Sequence, residues 1–81
     1  MSRDIDAIKR RKLSQEIKLQ GDIFFARNML NESLEQYHNA LEQDCMNEYA
    51  LSNIGVIHLK RLEYDECLEY SCKALAIIDE Y

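Results

Sequence analysis

The two glycines of this 81-residue chain, Gly21 and Gly55, lie 34 residues apart, and the sequence repeats itself at that spacing. Residues 14–47 set against residues 48–81 give eight identical pairs: Gly21/Gly55, Ile23/Ile57, Arg27/Arg61, Glu32/Glu66, Leu34/Leu68, Glu35/Glu69, Ala40/Ala74 and Leu41/Leu75. Ile17/Leu51, Phe25/Leu59, Ser33/Cys67 and Leu30/Tyr64 add conservative pairs. A fixed period of this length signals stacked helical hairpins, each burying its apolar face against the next. With no proline and only two glycines, the chain has few places to turn, as helices with short connections require.

Apolar residues recur at helical spacing within each copy. Ile17, Gly21, Phe24 and Phe25 form one stripe, and Leu30, Leu34, Tyr37 and Leu41 a second. Leu51, Ile54, Gly55, His58 and Leu59 form the third, and Tyr64, Leu68, Cys72 and Leu75 the fourth. These stripes predict helices near 14–26, 30–43, 47–60 and 64–79, interrupted at Arg27-Asn28-Met29 and Arg61-Leu62-Glu63. Residues 3–13 extend the first helix backwards, with Ser2 as its cap, Asp4 and Asp6 in its first turn, and Ile5, Ile8 and Leu13 as a sparse apolar edge. A mid-helix glycine costs ~1 kcal/mol against alanine, which is tolerable where a partner helix needs close approach. Gly21 is expected to face Ser33, and Gly55 to face Cys67, with Ala40 and Ala74 meeting the next repeat. The expected fold is all-α, with a basic helical extension over 1–13, one repeat over 14–47 and a second over 48–81.

Charge is unevenly spread. The net charge is -5, yet residues 1–20 hold six bases against three acids, and residues 28–59 hold no base at all. The run Lys9-Arg10-Arg11-Lys12 reads as a solvated helix face, with a nuclear localisation signal or a phosphate contact as alternatives. An acidic chain is a poor non-specific nucleic-acid binder. No apolar run approaches the ~18 residues of a membrane span, and no secretory signal is evident. The three cysteines, Cys45, Cys67 and Cys72, have no Cys-x-x-Cys spacing and complete no zinc set with His38 or His58. They are expected as free, small, buried residues in a reducing intracellular, cytoplasmic compartment. Phosphate loops, nucleophile elbows and helical metal-binding pairs are absent from the sequence, so neither enzymatic activity nor a cofactor or metal is expected.

Period and residues together resemble the tetratricopeptide repeat. Ile17, Gly21 and Phe24, then Ser33, Tyr37 and Ala40, follow its pattern of large apolar, glycine, aromatic, small, aromatic and alanine. The second copy offers Leu51, Gly55 and His58, then Cys67, Ser71 and Ala74, with Tyr64 at the inter-helix aromatic position; His58 and Ser71 are weak matches. The family's proline after the second helix is missing, its places taken by Cys45 and Asp79, which leaves the inter-repeat turn less sharply fixed. The resemblance implies a right-handed α-solenoid fragment whose first helices line a concave groove.

The runs Leu51-Ser52-Asn53, Leu59 to Tyr64 and Cys72 to Leu75 also look like repeat two of co-chaperone-type domains, which grip C-terminal carboxylates of heat-shock chaperones. That resemblance implies a clamp in which Lys18 and Asn53 stand at two of five positions. Asp22 departs from the asparagine expected at another, and the last two positions belong to a third repeat. A lysine supplies a charge-assisted bond to a carboxylate and an asparagine amide adds direction. Asp22, one turn after Lys18, would repel an acidic ligand or pair with Lys18 and silence it. Gln15, Phe25, Tyr49, Val56, Leu59 and Lys60 are expected to complete a groove more apolar than charged, suited to an extended peptide or a helix. The expected function is protein–protein interaction through this groove, with a chaperone adaptor as its refinement. The alternative is a scaffold or self-associating piece of a longer array. On that reading Tyr70, Ile77 and Ile78 are left uncovered, and a following helix or a second copy covers them.

Overall fold

The computed structural model describes the backbone of residues 2–79 and the side chains of residues 5–79. Four helices follow one another: α1 (Ser2–Ala26), α2 (Leu30–Gln43), α3 (Glu48–Lys60) and α4 (Tyr64–Asp79). No strand occurs among the described residues. The fold is all-α, two helical hairpins in tandem. The side chains of Ser2 and Asp4, expected to cap and charge the start of α1, lie outside the described residues. A 25-residue helix is ~37 Å long at 1.5 Å per residue, and α1 therefore sets the long dimension of a 44 × 27 × 15 Å slab.

Each hairpin turns in the same way. The Asn28 N–H donates to the Phe25 carbonyl and the Met29 N–H to the Phe24 carbonyl, both at 2.9 Å. Thirty-four residues on, the Leu62 N–H donates to the Leu59 carbonyl at 3.0 Å and the Glu63 N–H to the His58 carbonyl at 2.8 Å. This paired pattern ends a helix on one left-handed residue, and Asn28 (φ 60°) and Leu62 (φ 62°) occupy that place. In the first turn Met29 and Phe24 stand at the two positions that usually make an apolar contact. In the second those positions hold Glu63 and His58, whose side chains meet at 3.0 Å.

The turn between the hairpins has no proline, yet it is closely defined. Asp44 accepts the Met46 N–H on its side chain at 3.1 Å and the Asn47 N–H on its carbonyl at 3.1 Å. Asn47 then caps α3, its Oδ1 accepting from the Ala50 N–H at 3.2 Å.

The helices pack as the glycine spacing requires. The Ser33 hydroxyl donates to the Gly21 carbonyl at 2.8 Å, so α1 and α2 meet closely there. A Cβ on Gly21 would lie 2.6 Å from the Tyr37 ring. At Gly55 the nearest atom to an added Cβ is the Ser71 hydroxyl at 3.1 Å, ahead of the Cys67 carbonyl at 3.5 Å. The tight pair is therefore Gly21 with Tyr37, and Gly55 faces Ser71 first. The core joins Tyr37, Ala40, Ala50, Ile54 and Ile57, and a second cluster joins Leu51, Ala74 and Ile77.

Several expectations about α4 are corrected. Tyr64, Leu68, Cys72 and Leu75, the stripe assigned to the core, are exposed. Ile77 is instead buried, and half-buried Tyr70 stacks on His58 at 5.8 Å and meets His38 edge-on at 6.0 Å. Only Ile78 of the three residues expected to lie uncovered is exposed. The helix carries two apolar faces, and periodicity marks both without ranking them. The cysteines depart too: Cys45 and Cys72 are exposed, Cys67 is half-buried, and all three are free.

Gly21→Ala should destabilise the chain by ~1–3 kcal/mol, because the Tyr37 ring must move. Gly55→Ala should be neutral or stabilising by up to ~1 kcal/mol, because the Ser71 hydroxyl can rotate and alanine favours the helix. Equal melting points for the two variants would contradict this packing. Leu62 bears a left-handed backbone at a site where its side chain is 69% exposed. Leu62→Asn should accordingly stabilise by ~0.5–1.5 kcal/mol, read as a rise in the denaturant midpoint at constant slope.

Candidate functional site

The first helices of the two hairpins run side by side in the same direction, tied by a ladder of side chains. At one end the Asn47 amide donates to the Ser14 hydroxyl at 2.9 Å and to Gln15 Oε1 at 3.0 Å. The Ser14 hydroxyl in turn donates to the Ala40 carbonyl at 2.7 Å. One turn on, Lys18 Nζ lies 5.3 Å from the centre of the Tyr49 ring. Next, the Asn53 amide donates to Asp22 at 3.1 Å. Last, Lys60 Nζ lies 4.8 Å over the Phe25 ring. Val56 and Leu59 stand exposed beside this ladder.

Asp22 is the most heavily used group on this face. Its Oδ1 accepts from the Tyr37 hydroxyl at 2.5 Å as well as from Asn53, and its Oδ2 pairs with Lys18 at 2.7 Å. Asn53 also donates to the Tyr37 hydroxyl at 3.3 Å. Three helices thus meet at one carboxylate: Lys18 and Asp22 from α1, Tyr37 from α2 and Asn53 from α3. Burial, and then the hydrogen bond to Asp22, push the Tyr37 hydroxyl up from 10.0 to about 12.

The nine residues expected in the groove lie along or beside this ladder. Gln15, Lys18, Asp22, Phe25, Tyr49, Asn53 and Lys60 join in the ladder, and Val56 and Leu59 flank it. The pairing of Lys18 with Asp22 is present, and Asn53 gives its amide to Asp22. Ser14, Asn47 and the Tyr37 hydroxyl also belong to this face, beyond the residues expected there. Asn47 was detectable as a capping residue before an apolar run, and a buried tyrosine hydroxyl needs a partner. Their convergence across three helices left no trace in spacing.

Two shallow hollows open at the Asn47 end. One of about 320 Å³ is lined by Arg11, Gln15, Met46, Asn47 and Tyr49 among others. The larger, about 640 Å³, lies between the basic extension and the end of α2, with Lys9, Arg10 and Arg11 set against Asp6 and Asp44. Lys9 to Lys12 are all exposed, and Arg11 reaches Asp44 only at 4.0 Å. Among the described residues no three His, Cys, Asp or Glu side chains converge as a metal set would. No helix there is long and apolar enough to cross a membrane.

Tandem antiparallel hairpins with adjacent, parallel first helices define an α-helical repeat protein. The family model of the TPR repeat matches residues 21–61, half of the chain, and the chain belongs to the tetratricopeptide-repeat family. No curated protein and no solved structure matches it. Members of this family mediate protein–protein interaction and are typically non-catalytic.

The Tyr37 hydroxyl predicts an alkaline limit to stability. Its folded value is raised, so its contribution is complete below pH 10 and disappears as pH rises to about 12. Alkaline unfolding followed by tyrosinate absorbance should show a loss of up to ~2–3 kcal/mol over that window. Tyr37→Phe should remove that step while Lys18 and Asn53 still hold Asp22. An unaltered alkaline limb in Tyr37→Phe would contradict the network.

Proposed function

We propose that the face formed by α1 and α3 holds an extended peptide or a helix of a partner protein. Residues 14–47 and 48–81 act as its two repeats, and residues 1–13 as a basic extension. The observation that carries this reading is the ladder itself. Two parallel helices are held in register by the buried Asn47 amide and by the half-buried Asn53 amide and Asp22 carboxylate, while Tyr49, Val56, Leu59 and Lys60 remain exposed along it. Such a surface offers apolar area with a few fixed polar groups, the usual make-up of a peptide site.

The internal pairing of Lys18 argues about ligand chemistry. An acidic C-terminus must take Lys18 from Asp22 and then lie beside that carboxylate. At ~6 Å the repulsion is ~1–3 kcal/mol in a surface dielectric of 20 or above. A chaperone-adaptor role would need that exchange, so a neutral or basic segment with apolar side chains fits the face better. Three free thiols suit the reducing cytoplasm proposed for the chain. The scaffold reading is supported by the uncovered apolar face of α4.

Titration with one acidic C-terminal peptide and one basic amphipathic peptide tests this. Asp22→Asn should raise affinity for the acidic peptide ~5- to 150-fold, the gain shrinking in high salt, and lower it for the basic one. Tyr49→Ala should weaken the basic peptide. A melting curve for Asp22→Asn separates lost binding from lost folding. If neither substitution changes either peptide's binding, the α1–α3 face is not the site.

A further inference from the structure

The side of α1 turned away from α2 carries a stripe that is its own complement. At ~100° per residue Ile5, Ile8, Lys12, Glu16, Leu19 and Ile23 share one side of the helix, opposite Ser14 and Gly21, which meet α2. All six are exposed, the four aliphatic ones at 54%, 61%, 54% and 45% in chain order. Ile5 and Ile23 each lie nine residues from Ser14, and Lys12 and Glu16 each lie two residues from it. Ile8 and Leu19 lie six and five residues away. An antiparallel copy of α1, turned about an axis level with Ser14, therefore sets Ile5 against Ile23, Ile8 beside Leu19 and Lys12 against Glu16. A parallel copy in register sets lysine on lysine and glutamate on glutamate.

This is not the surface by which one hairpin stacks on another. The helix α3 meets the first hairpin through Ala50 and Ile54, each 0% exposed. Thirty-four residues earlier their places on α1 are held by Glu16 and Gln20. A hairpin stacked there would bury the Glu16 carboxylate without a partner, a costly step. What covers the stripe must offer a base to Glu16 and an acid to Lys12 while burying the aliphatic residues on either side. Neither Lys12 nor Glu16 has an ion-pair partner among the described residues.

We propose that two copies of the chain pair through α1, antiparallel about a two-fold axis at the level of Ser14. Two Lys12–Glu16 ion pairs lie at the centre, and Ile5, Ile8, Leu19 and Ile23 form an apolar patch at each end. Such an interface is self-complementary, as a two-fold dimer requires. Contact over ~27 Å of one helix pair is a small interface, so the association is reversible. The six residues are none of the nine in the α1–α3 groove, and either assignment can fail without the other. The dimer carries two such grooves, which favours a partner with repeated binding segments.

Sedimentation equilibrium of the full chain tests this, with a melting curve of each variant at low concentration as the folding control. The unaltered chain is expected to pass from monomer to dimer as its concentration rises. Lys12→Glu and Glu16→Lys each set like charges opposite one another, and each should raise the dissociation constant ~10-fold or more without lowering the melting point appreciably. Mixed together, the two variants should pair with each other, and the double exchange Lys12→Glu/Glu16→Lys should restore the homodimer. Groove-peptide binding should be unchanged throughout. A chain that stays monomeric up to ~1 mM would overturn the proposal. So would a dimer insensitive to both single exchanges, which would assign self-association to another face, or a double exchange that fails to restore pairing.

Discussion

The contact between Gly21 and Tyr37 is the constraint on which the arrangement of the first three helices rests. Without a side chain at Gly21, the Tyr37 ring lies against α1 within the space a Cβ would occupy. That approach carries the Tyr37 hydroxyl to Asp22, one residue further along α1. Asp22 can then receive Asn53, which draws α3 to the same point. Hydrogen bonds to a charged acceptor are worth ~1.5–3 kcal/mol each, and removing one partner leaves the others poorly satisfied. The glycine's cost in helix propensity, ~1 kcal/mol, is small beside what the approach makes possible. Among the described residues no buried side-chain nitrogen or oxygen lacks a hydrogen-bond partner.

The second copy repeats the backbone of this arrangement without its chemistry. Val56 stands where Asp22 does, and Ser71 where Tyr37 does. The layer at Gly55 is correspondingly looser, with a hydroxyl rather than an aromatic ring facing the glycine. What takes its place is the aromatic group of His58, Tyr70 and His38. Burial, then the neighbouring His58 and Lys73, hold His38 below its ordinary value of 6.5. A protonated His38 is therefore disfavoured in the folded chain, so this aromatic contact weakens as acid protonates the ring. The molecule has a knitted half, α1 to α3, and a half that depends more on simple apolar contact.

Much of this was legible in the sequence, because a 34-residue period is a statement about packing. The helix bounds follow from apolar spacing and from the two Arg-x-x breaks, and the structure ends α1, α2, α3 and α4 where those signals end, with α3 starting one residue later than expected, at Glu48. The pairing of Lys18 with Asp22 followed from i to i+4 geometry alone. Three things did not follow. The inward face of α4 is not the one that spacing predicts, because Tyr64, Leu68 and Leu75 mimic the covered residues of the first copy, and coverage depends on a neighbour that spacing does not reveal. Residue type alone places the cysteines in the interior, whereas Cys45 sits in a turn and Cys72 on the outer stripe. The Ser14–Asn47–Ala40 knot joins residues 26 and 33 apart through one backbone carbonyl, and no side-chain pattern records that.

The candidate groove has an electrostatic character that net charge conceals. Residues 28–59 hold no base, which taken alone predicts an acidic surface attractive to cations. Yet the ladder places Lys18 and Lys60 across the Tyr49 and Phe25 rings, so cations cover its aromatic residues. Asp22 is already matched by Lys18, leaving little unbalanced charge at the centre of the face. On the proposed reading, a ligand would gain chiefly by lying along Tyr49, Val56 and Leu59 and displacing the exposed Lys60 chain from the Phe25 ring, an exchange of modest cost at an exposed site. Recognition of this kind is set by shape and apolar area, with charge choosing direction and rejecting unsuitable ends. The basic first twenty residues and the acidic remainder give the chain a strong charge asymmetry along its sequence. A long partner with the opposite asymmetry would be oriented before it touches the groove.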